Sequence, residues 1–274
     1  MFENSFDNKF VKVKVVGVNT VGKENLSGGL TALNFMLEQN LQGVRYLAVD
    51  RQDTDNLDGC KTNHKYRLLN TSDERTLTEA LRGADLIFVV ADSVWENVKA
   101  VALTAHCAKK TGAPVIFIAG GNFEDAEDEI IFDALIKLPS KNFDADACKV
   151  VTNFVETVSL PGQPKVDVKA IADFVKNSAA VVSYGERDGK NAVVKAVKAA
   201  LEHAEASEEN FKVAEKILLN VTAAKGNLSL EEAQKIFRIC RRHAPKAEIF
   251  LGFSIDDWLV DKVKILLMAS VKAD

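Results

Sequence analysis

No stretch of this sequence reaches about 18 consecutive apolar residues, the length a membrane-spanning helix needs. The start, MFENSFDNKF, has neither the basic nor the apolar segment of a secretion signal. We therefore expect a cytoplasmic chain with no membrane anchor of its own. Cysteine is sparse: Cys60, Cys107, Cys148 and Cys240 are scattered without paired spacing, which excludes a disulfide framework and implies reduced thiols. A basic excess is missing too, since 35 Lys and Arg face 39 Asp and Glu for a formal charge of −4. Nothing supplies the basic stripe that a nucleic-acid surface requires. Metal-ligand sets are absent, because His106-Cys107 and Cys240-x-x-His243 each offer at most two ligands and no Asp or Glu completes either. Acyl-transfer catalysis would call for an ordered Ser, His and Asp set or a G-x-S-x-G elbow, and neither occurs.

What the chain does have is an α/β pattern organised around residues 84–111. Leu86 to Ala91 is a continuous apolar run, the pattern of a central parallel strand covered on both faces, and Val98, Val101, Ala102, Ala105 and Ala108 then recur at helical spacing. The loop leaving such a strand is where an α/β sheet builds a phosphate site, because free N–H groups at the next helix start attract anions. A phosphate cradle there needs glycine, so that backbone can approach oxygen without a Cβ in the way. From Asp92 to Lys99 glycine is missing, and Asp92, Trp95 and Glu96 bring bulk and negative charge instead.

Taken in order, Val11 to Val18 predicts the first strand, Gly29 to Gln39 a helix, Leu47 to Val49 a second strand, and Gln52 to Leu57 a turn into a short helix. Asp58 to Leu77 is polar, weakly patterned and reads as connecting structure. Pro114 to Ala119 and Leu135 to Leu138 predict strands, and Asp144 to Val158 predicts a helix stopped by Pro161-Gly162, the best domain boundary. Beyond it the pattern predicts strands at Val181–Tyr184, Lys216–Thr222, Glu248–Ile255 and Val263–Ala269, with helices at Asn191–Leu201 and from Ser229 to Arg242. Ser229 and Glu232 stand at the spacing of a capping box. Trp95 and Trp258 are candidate contact residues, with a place in the core as the equal alternative.

The sharpest local motif is GVNTVGKE, Gly17 to Glu24, which follows the first strand and matches G-x-x-x-x-G-K. Gly22 and Lys23 occupy the phosphate-binding positions, but Glu24 stands where Ser or Thr should hold magnesium. A carboxylate there would sit beside the phosphates. A turn containing glycine is the usual explanation of such a broken match.

Several segments together resemble FtsZ, the bacterial member of the tubulin superfamily. NFMLEQNLQGVRYLAVD (34–50) is similar to that family's first helix and second strand, LRGADLIFVVA (81–91) to the strand before its glycine signature, and FDALIKLP (132–139) to its V-D-x-L-I-x-I-P strand. PGQPKVDVKAI (161–171) resembles the P-G-x-x-N-x-D-x-x-D-V loop after the long central helix, and SYGERDGKNAVVKAVKAAL (183–201) the G-x-G-E-x-x-G-x-x-R-A segment. LLNVTAAKGNLSLEEA (218–233) and IFLGFSIDDWLVDKVKILLMAS (249–270) follow in the family's order. Departures fall on the nucleotide site. Of the first glycine loop Gly28 and Gly29 remain, the signature G-G-G-T-G-T-G is absent from 92–99, and F-E-G-R-R-R has become Phe123-Glu124-Asp125-Ala126-Glu127-Asp128. In the loop that reaches into the next subunit, Asp167 matches the first acidic residue, while Ala170 replaces the second, which polarises the attacking water in the family.

The resemblance implies a tubulin/FtsZ-like α/β fold: a doubly wound nucleotide-binding-type domain over 1–142, a central helix over 143–160 and an α+β domain over 161–274. It implies a cytoskeletal, cell-division-related protein that has lost efficient GTP binding and hydrolysis, with no catalytic residue, no metal and no resident cofactor. The alternative is a polymerising GTPase that cradles GTP with Gly17, Gly22, Lys23, Gly28 and Gly29. The expected partner is a second copy or an FtsZ-type homologue.

Overall fold

Successive residues of the first strand face opposite layers, and that sorting organises the larger half of the molecule. The computed structural model describes residues 11–19, 28–51, 57–92, 98–120, 131–138, 140–175, 178–203 and 212–272. Strand β1 (Val13–Val18) is buried along its length and pairs in parallel with β2 (Val44–Asp50) and β4 (Leu86–Asp92), Val16 lying between Leu47 and Val89. With β3 (Lys65–Arg67), β5 (Val115–Gly120) and β6 (Ala134–Leu138) they form a parallel sheet of order β3-β2-β1-β4-β5-β6. This is the doubly wound order, with its switch point beside β1. Val13, Val15, Phe88 and Val90 pack with α1 (Gly29–Leu37) and α4 (Phe143–Ser159), whereas Val16, Val18, Ile87 and Val89 pack with α2 (Thr71–Leu81) and α3 (Val98–Lys109).

The second sheet has the order β7-β10-β8-β9, from β7 (Ser178–Arg187), β8 (Lys216–Ala223), β9 (Glu248–Ile255) and β10 (Val263–Lys272). β10 runs antiparallel to both neighbours, and β8 and β9 are parallel. Two helices, α6 (Ala192–His203) and α7 (Leu230–His243), cover one face; Leu218, Leu266 and Met268 on the other join α4 and the short helix α5 (Val168–Val175). The apolar sides of α4 therefore serve both sheets, and Phe154 meets Phe88 edge to face with ring centroids 5.4 Å apart. Burial of that helix between two sheets makes it the rod on which the rest is mounted.

Two stretches differ from the sequence expectation. Residues expected to be only connecting structure contain β3 and α2. Helix α2 buries only Leu77, Thr78 and Leu81, too little for a visible apolar stripe, and its start is set by cap chemistry: Asn70 accepts from Ser72 and Asp73 N–H while Asp73 accepts from Asn70 N–H. The loop expected after the central helix becomes α5 from Val168, because Asp167 Oδ1 accepts the Ala170 N–H at 2.8 Å. The turn expected at Gln52–Leu57 lies outside the described residues up to Asn56. The Ser229–Glu232 capping box is present as the spacing predicts.

Candidate functional site

In a doubly wound sheet the crevice forms at the carboxyl ends of the strands beside the switch point. Here that crevice is bounded by the ends of β1, β2, β4 and β5 and by the amino ends of α1 and α4. A Cβ on Gly17 would stand 2.4 Å from the Gly29 carbonyl oxygen, and one on Gly29 would stand 2.0 Å from the Val90 oxygen. Both residues must be glycine so that α1 can sit directly against β1 and β4. Gly28, at φ 56°, turns the chain into α1 without any side-chain cap. Gly22 and Lys23 lie outside the described residues, as do Trp95, Glu96 and the 123–128 segment.

The first turn of α1 has an anion of its own. Thr31 Oγ1 lies 2.9 Å from both the Gly28 oxygen and Asp144 Oδ1, so one hydroxyl proton serves a carbonyl and a carboxylate in turn. Burial raises the Asp144 pKa above the ordinary carboxylate value; the Thr31 hydrogen bond opposes that shift, and the nearby Asp92 charge adds to it. Asp92 ends β4, and its Oδ1 would be 2.7 Å from a Cβ on Gly120, which places the carboxylate over the end of β5 next to Phe143. Asp50, fully buried at the end of β2, accepts from Asn19 Nδ2 at 3.0 Å and from the Arg51 N–H at 2.7 Å. The Asn19 Oδ1 is buried and takes no donor among the described residues. Asp144 and Asp92 thus bring two carboxylates to this crevice, with Asp50 buried at the end of β2.

Asp167 and Ala170 stand at the other end of α4. That helix runs 17 residues from Phe143 to Ser159, and at 1.5 Å per residue it separates its ends by about 25 Å. Asp167 is exposed, and its carboxylate caps α5. The preceding loop is stitched onto the edge of β9, with Ile255 N–H donating to the Pro161 oxygen at 2.7 Å and Phe253 N–H to the Pro164 oxygen at 2.9 Å. A Cβ on Gly162 would stand 1.5 Å from the Phe253 oxygen, so only glycine permits this approach. Trp258, just beyond Ile255, is 94% exposed, which agrees with a contact rather than a core role.

The four thiols are free and buried, and burial pushes Cys240 up to about 12. Buried thiols held protonated are poor nucleophiles and poor metal ligands. Among the described residues no three His, Cys, Asp or Glu side chains are placed to hold a metal, and no helix is long and apolar enough to cross a membrane. Sequence reasoning missed Asp50, Asn19, Thr31 and Asp144. Only Asp50 had a local signal, since like Asp92 it ends an apolar strand.

Residues 178–271 match the family model described as "FtsZ family, C-terminal domain". The chain is 22% identical over 313 aligned positions to the "Mitochondrial division protein fszB" of Dictyostelium discoideum, with 93% of this chain and 82% of the relative covered. Among solved structures, the empty FtsZ dimer of M. jannaschii is similar at a TM-score of 0.75 and 19% identity, covering 96% of this chain and 89% of that one. CetZ from Methanosaeta thermophila is similar at a TM-score of 0.73 and 14% identity, covering 96% and 87% respectively.

Proposed function

We propose that this chain, a member of the FtsZ/tubulin superfamily, is an FtsZ-like cytoskeletal protein of a division apparatus that assembles end to end with little or no use of GTP. The observation that carries the reading is Asp144, in the first turn of α4, bonded to Thr31 in the first turn of α1. A helix amino end is a ready anion site, and here the protein's own carboxylate stands beside it, bonded to the Thr31 hydroxyl. Asp92 and Asp50 add like charge around it. At an effective dielectric of about 20, a unit charge about 5 Å from a phosphate charge costs about 3 kcal/mol, so a carboxylate at the first turn of α1 opposes a triphosphate. Hydrolysis is disfavoured separately, because Ala170 has no group to polarise water and Asp167 is engaged as a helix cap.

The division role rests on the named relative, a mitochondrial division protein. Self-association is supported by the similar FtsZ dimer. The length of α4 keeps the 161–167 loop and the α1 crevice apart within one chain, so any contact between them would have to come from a second copy stacked head to tail. Docking onto a nucleotide-bearing homologue would use the same loop, and Ala170 would leave the neighbour's GTP uncleaved.

One observation favours the second reading, a GTP-binding polymerase: α1 begins at Gly28 with no side-chain cap. Calorimetric titration with GTP, together with sedimentation with and without GTP, alone and mixed with an active homologue, tests both. We expect no GTP binding tighter than about 0.1 mM, some 5 kcal/mol, and pelleting that does not depend on GTP. Micromolar GTP affinity would establish the second reading. A monomer in every condition, with the homologue's polymer and turnover unchanged, would overturn the assembly role.

A further inference from the structure

At the opposite end of the parallel sheet, the face that packs on α2 changes from apolar to cationic. Residues two apart on a strand share a face, so Lys12 and Lys14 continue the row of Val16 and Val18, and Arg45 continues that of Leu47 and Val49. Lys14 pairs directly with Arg45 in the β1–β2 register. Arg82 and Gly83, leaving α2, close the far side of a cleft of about 400 Å³ lined by Lys12, Val13, Lys14, Gly43, Val44, Arg45, Arg82 and Gly83.

Local structure explains only part of this charge. The Lys14 ammonium donates at 2.7 Å to the Ala80 and Arg82 oxygens, closing the carboxyl end of α2. Arg82 reaches Glu79 at 3.2 Å across solvent, and Asp85 accepts the Lys12 backbone N–H. Among the described residues no carboxylate side chain lines the cleft itself. Like charges on paired strands destabilise a sheet, and that cost is felt: the Lys14 pKa is lowered first by burial, then by Arg45 and Lys12. An arrangement of cations that costs stability when empty is relieved by an anion between them.

We propose that this cleft binds a phosphate-bearing ligand carrying two or more negative charges, held by Lys12, Arg45 and Arg82 with Lys14 at its floor. Arg offers a planar fork to phosphate oxygens and Lys a point charge, and the two together suit a multiply charged tetrahedral anion better than a single carboxylate. A soluble phosphorylated metabolite and the headgroup of a phosphorylated lipid share this chemistry. The site lies on the amino ends of the strands, away from the α1 crevice, and the inference does not depend on how that crevice treats GTP.

The test uses the full chain, inorganic pyrophosphate in calorimetry, and flotation with phosphatidylcholine vesicles with or without phosphatidylinositol bisphosphate. The variant is Lys12→Gln with Arg45→Gln, which spares the Lys14 cap; unchanged circular dichroism and melting temperature establish that it folds. We expect binding that weakens as salt rises, and at least about tenfold weaker binding by the double variant, equal to about 1.4 kcal/mol. Flotation with the phosphorylated lipid would identify the lipid source; pyrophosphate binding without flotation would identify the soluble one. Absence of binding to either probe at millimolar concentration, or equal binding by the folded double variant, would overturn the proposal.

Discussion

Replacing Lys264 with methionine removes one half of an ion pair that ties the central helix to the second sheet. Lys264 Nζ on β10 meets Glu156 Oε1 on α4 at 2.7 Å, with the two side chains 21% and 18% exposed. Glu156 Oε2 is buried with no donor. Its pKa is raised above the ordinary glutamate value because burial outweighs Lys264, and Asp256 and Glu186 push the same way. Losing one partner of a buried pair costs about 3–5 kcal/mol; with about a fifth of each side chain in water, we expect about 2 kcal/mol near pH 8. That is a fall in melting temperature of roughly 4–8 °C for a chain this long. The sign with pH follows from linkage: a carboxyl whose folded pKa is raised adds no penalty below its unfolded pKa and its full penalty above the folded one. The variant's deficit should therefore shrink from pH 8 to pH 5, and Glu156→Gln on the Lys264→Met background should recover most of the loss at pH 8 and little at pH 5. Thermal melts at the two pH values decide it. An equal deficit at both, or no recovery in the double variant, would refute the reasoning.

Asp167→Ala should cost about 1 kcal/mol, the typical value of a lost helix cap, and leave GTP turnover at its wild-type level; a measured drop in phosphate release would show that the carboxylate has a chemical role. Gly162→Ala should peel the 161–164 loop from β9, losing two backbone hydrogen bonds worth about 1 kcal/mol each, and amide exchange at Phe253 and Ile255 reports this directly. Asn70→Ala should lower stability by about 1 kcal/mol through the α2 cap, whereas Asn70→Asp should be nearly neutral in the same denaturant titration. Asp144→Asn with Asp92→Asn should tighten GTP binding relative to wild type in calorimetry if like charge is what opposes the nucleotide, and no change would sink that explanation.

The strands of the parallel sheet other than the short, half-exposed β3 were legible because a strand covered on both faces is apolar at nearly every position, as in Leu86 to Ala91, and such a run needs no knowledge of its partners. α7 was legible through Ser229 and Glu232, since a capping box is written within four residues. α2 carries the same kind of signal in Asn70 and Asp73, and was missed because its buried side is confined to three positions. The site was least legible. Thr31 and Asp144 are 113 positions apart and meet only because α1 and α4 lie side by side on one face of the sheet. Gly17 and Gly29 stand as a candidate cradle in one dimension; in three they also let α1 pack directly on β1 and β4, a contact no local pattern announces.

The two ends of α4 share one property that bears on assembly. At the amino end, Asp144 supplies charge to the first turn of α1; at the carboxyl end, Asp167 spends its carboxylate on the first turn of α5. In each case a polar group facing a subunit end is satisfied within the chain. Under the proposed reading, a carboxylate held beside the first turn of α1 leaves less to gain from a bridging nucleotide, because like charge stands where a phosphate would. On that reading, what would hold two copies together is surface: exposed Trp258, just beyond the strand that carries the 161–164 loop, offers the large, rigid apolar area that dominates contact energies. Under the proposed reading, association should strengthen with apolar burial and respond weakly to GTP and magnesium, the reverse of a contact built around a triphosphate.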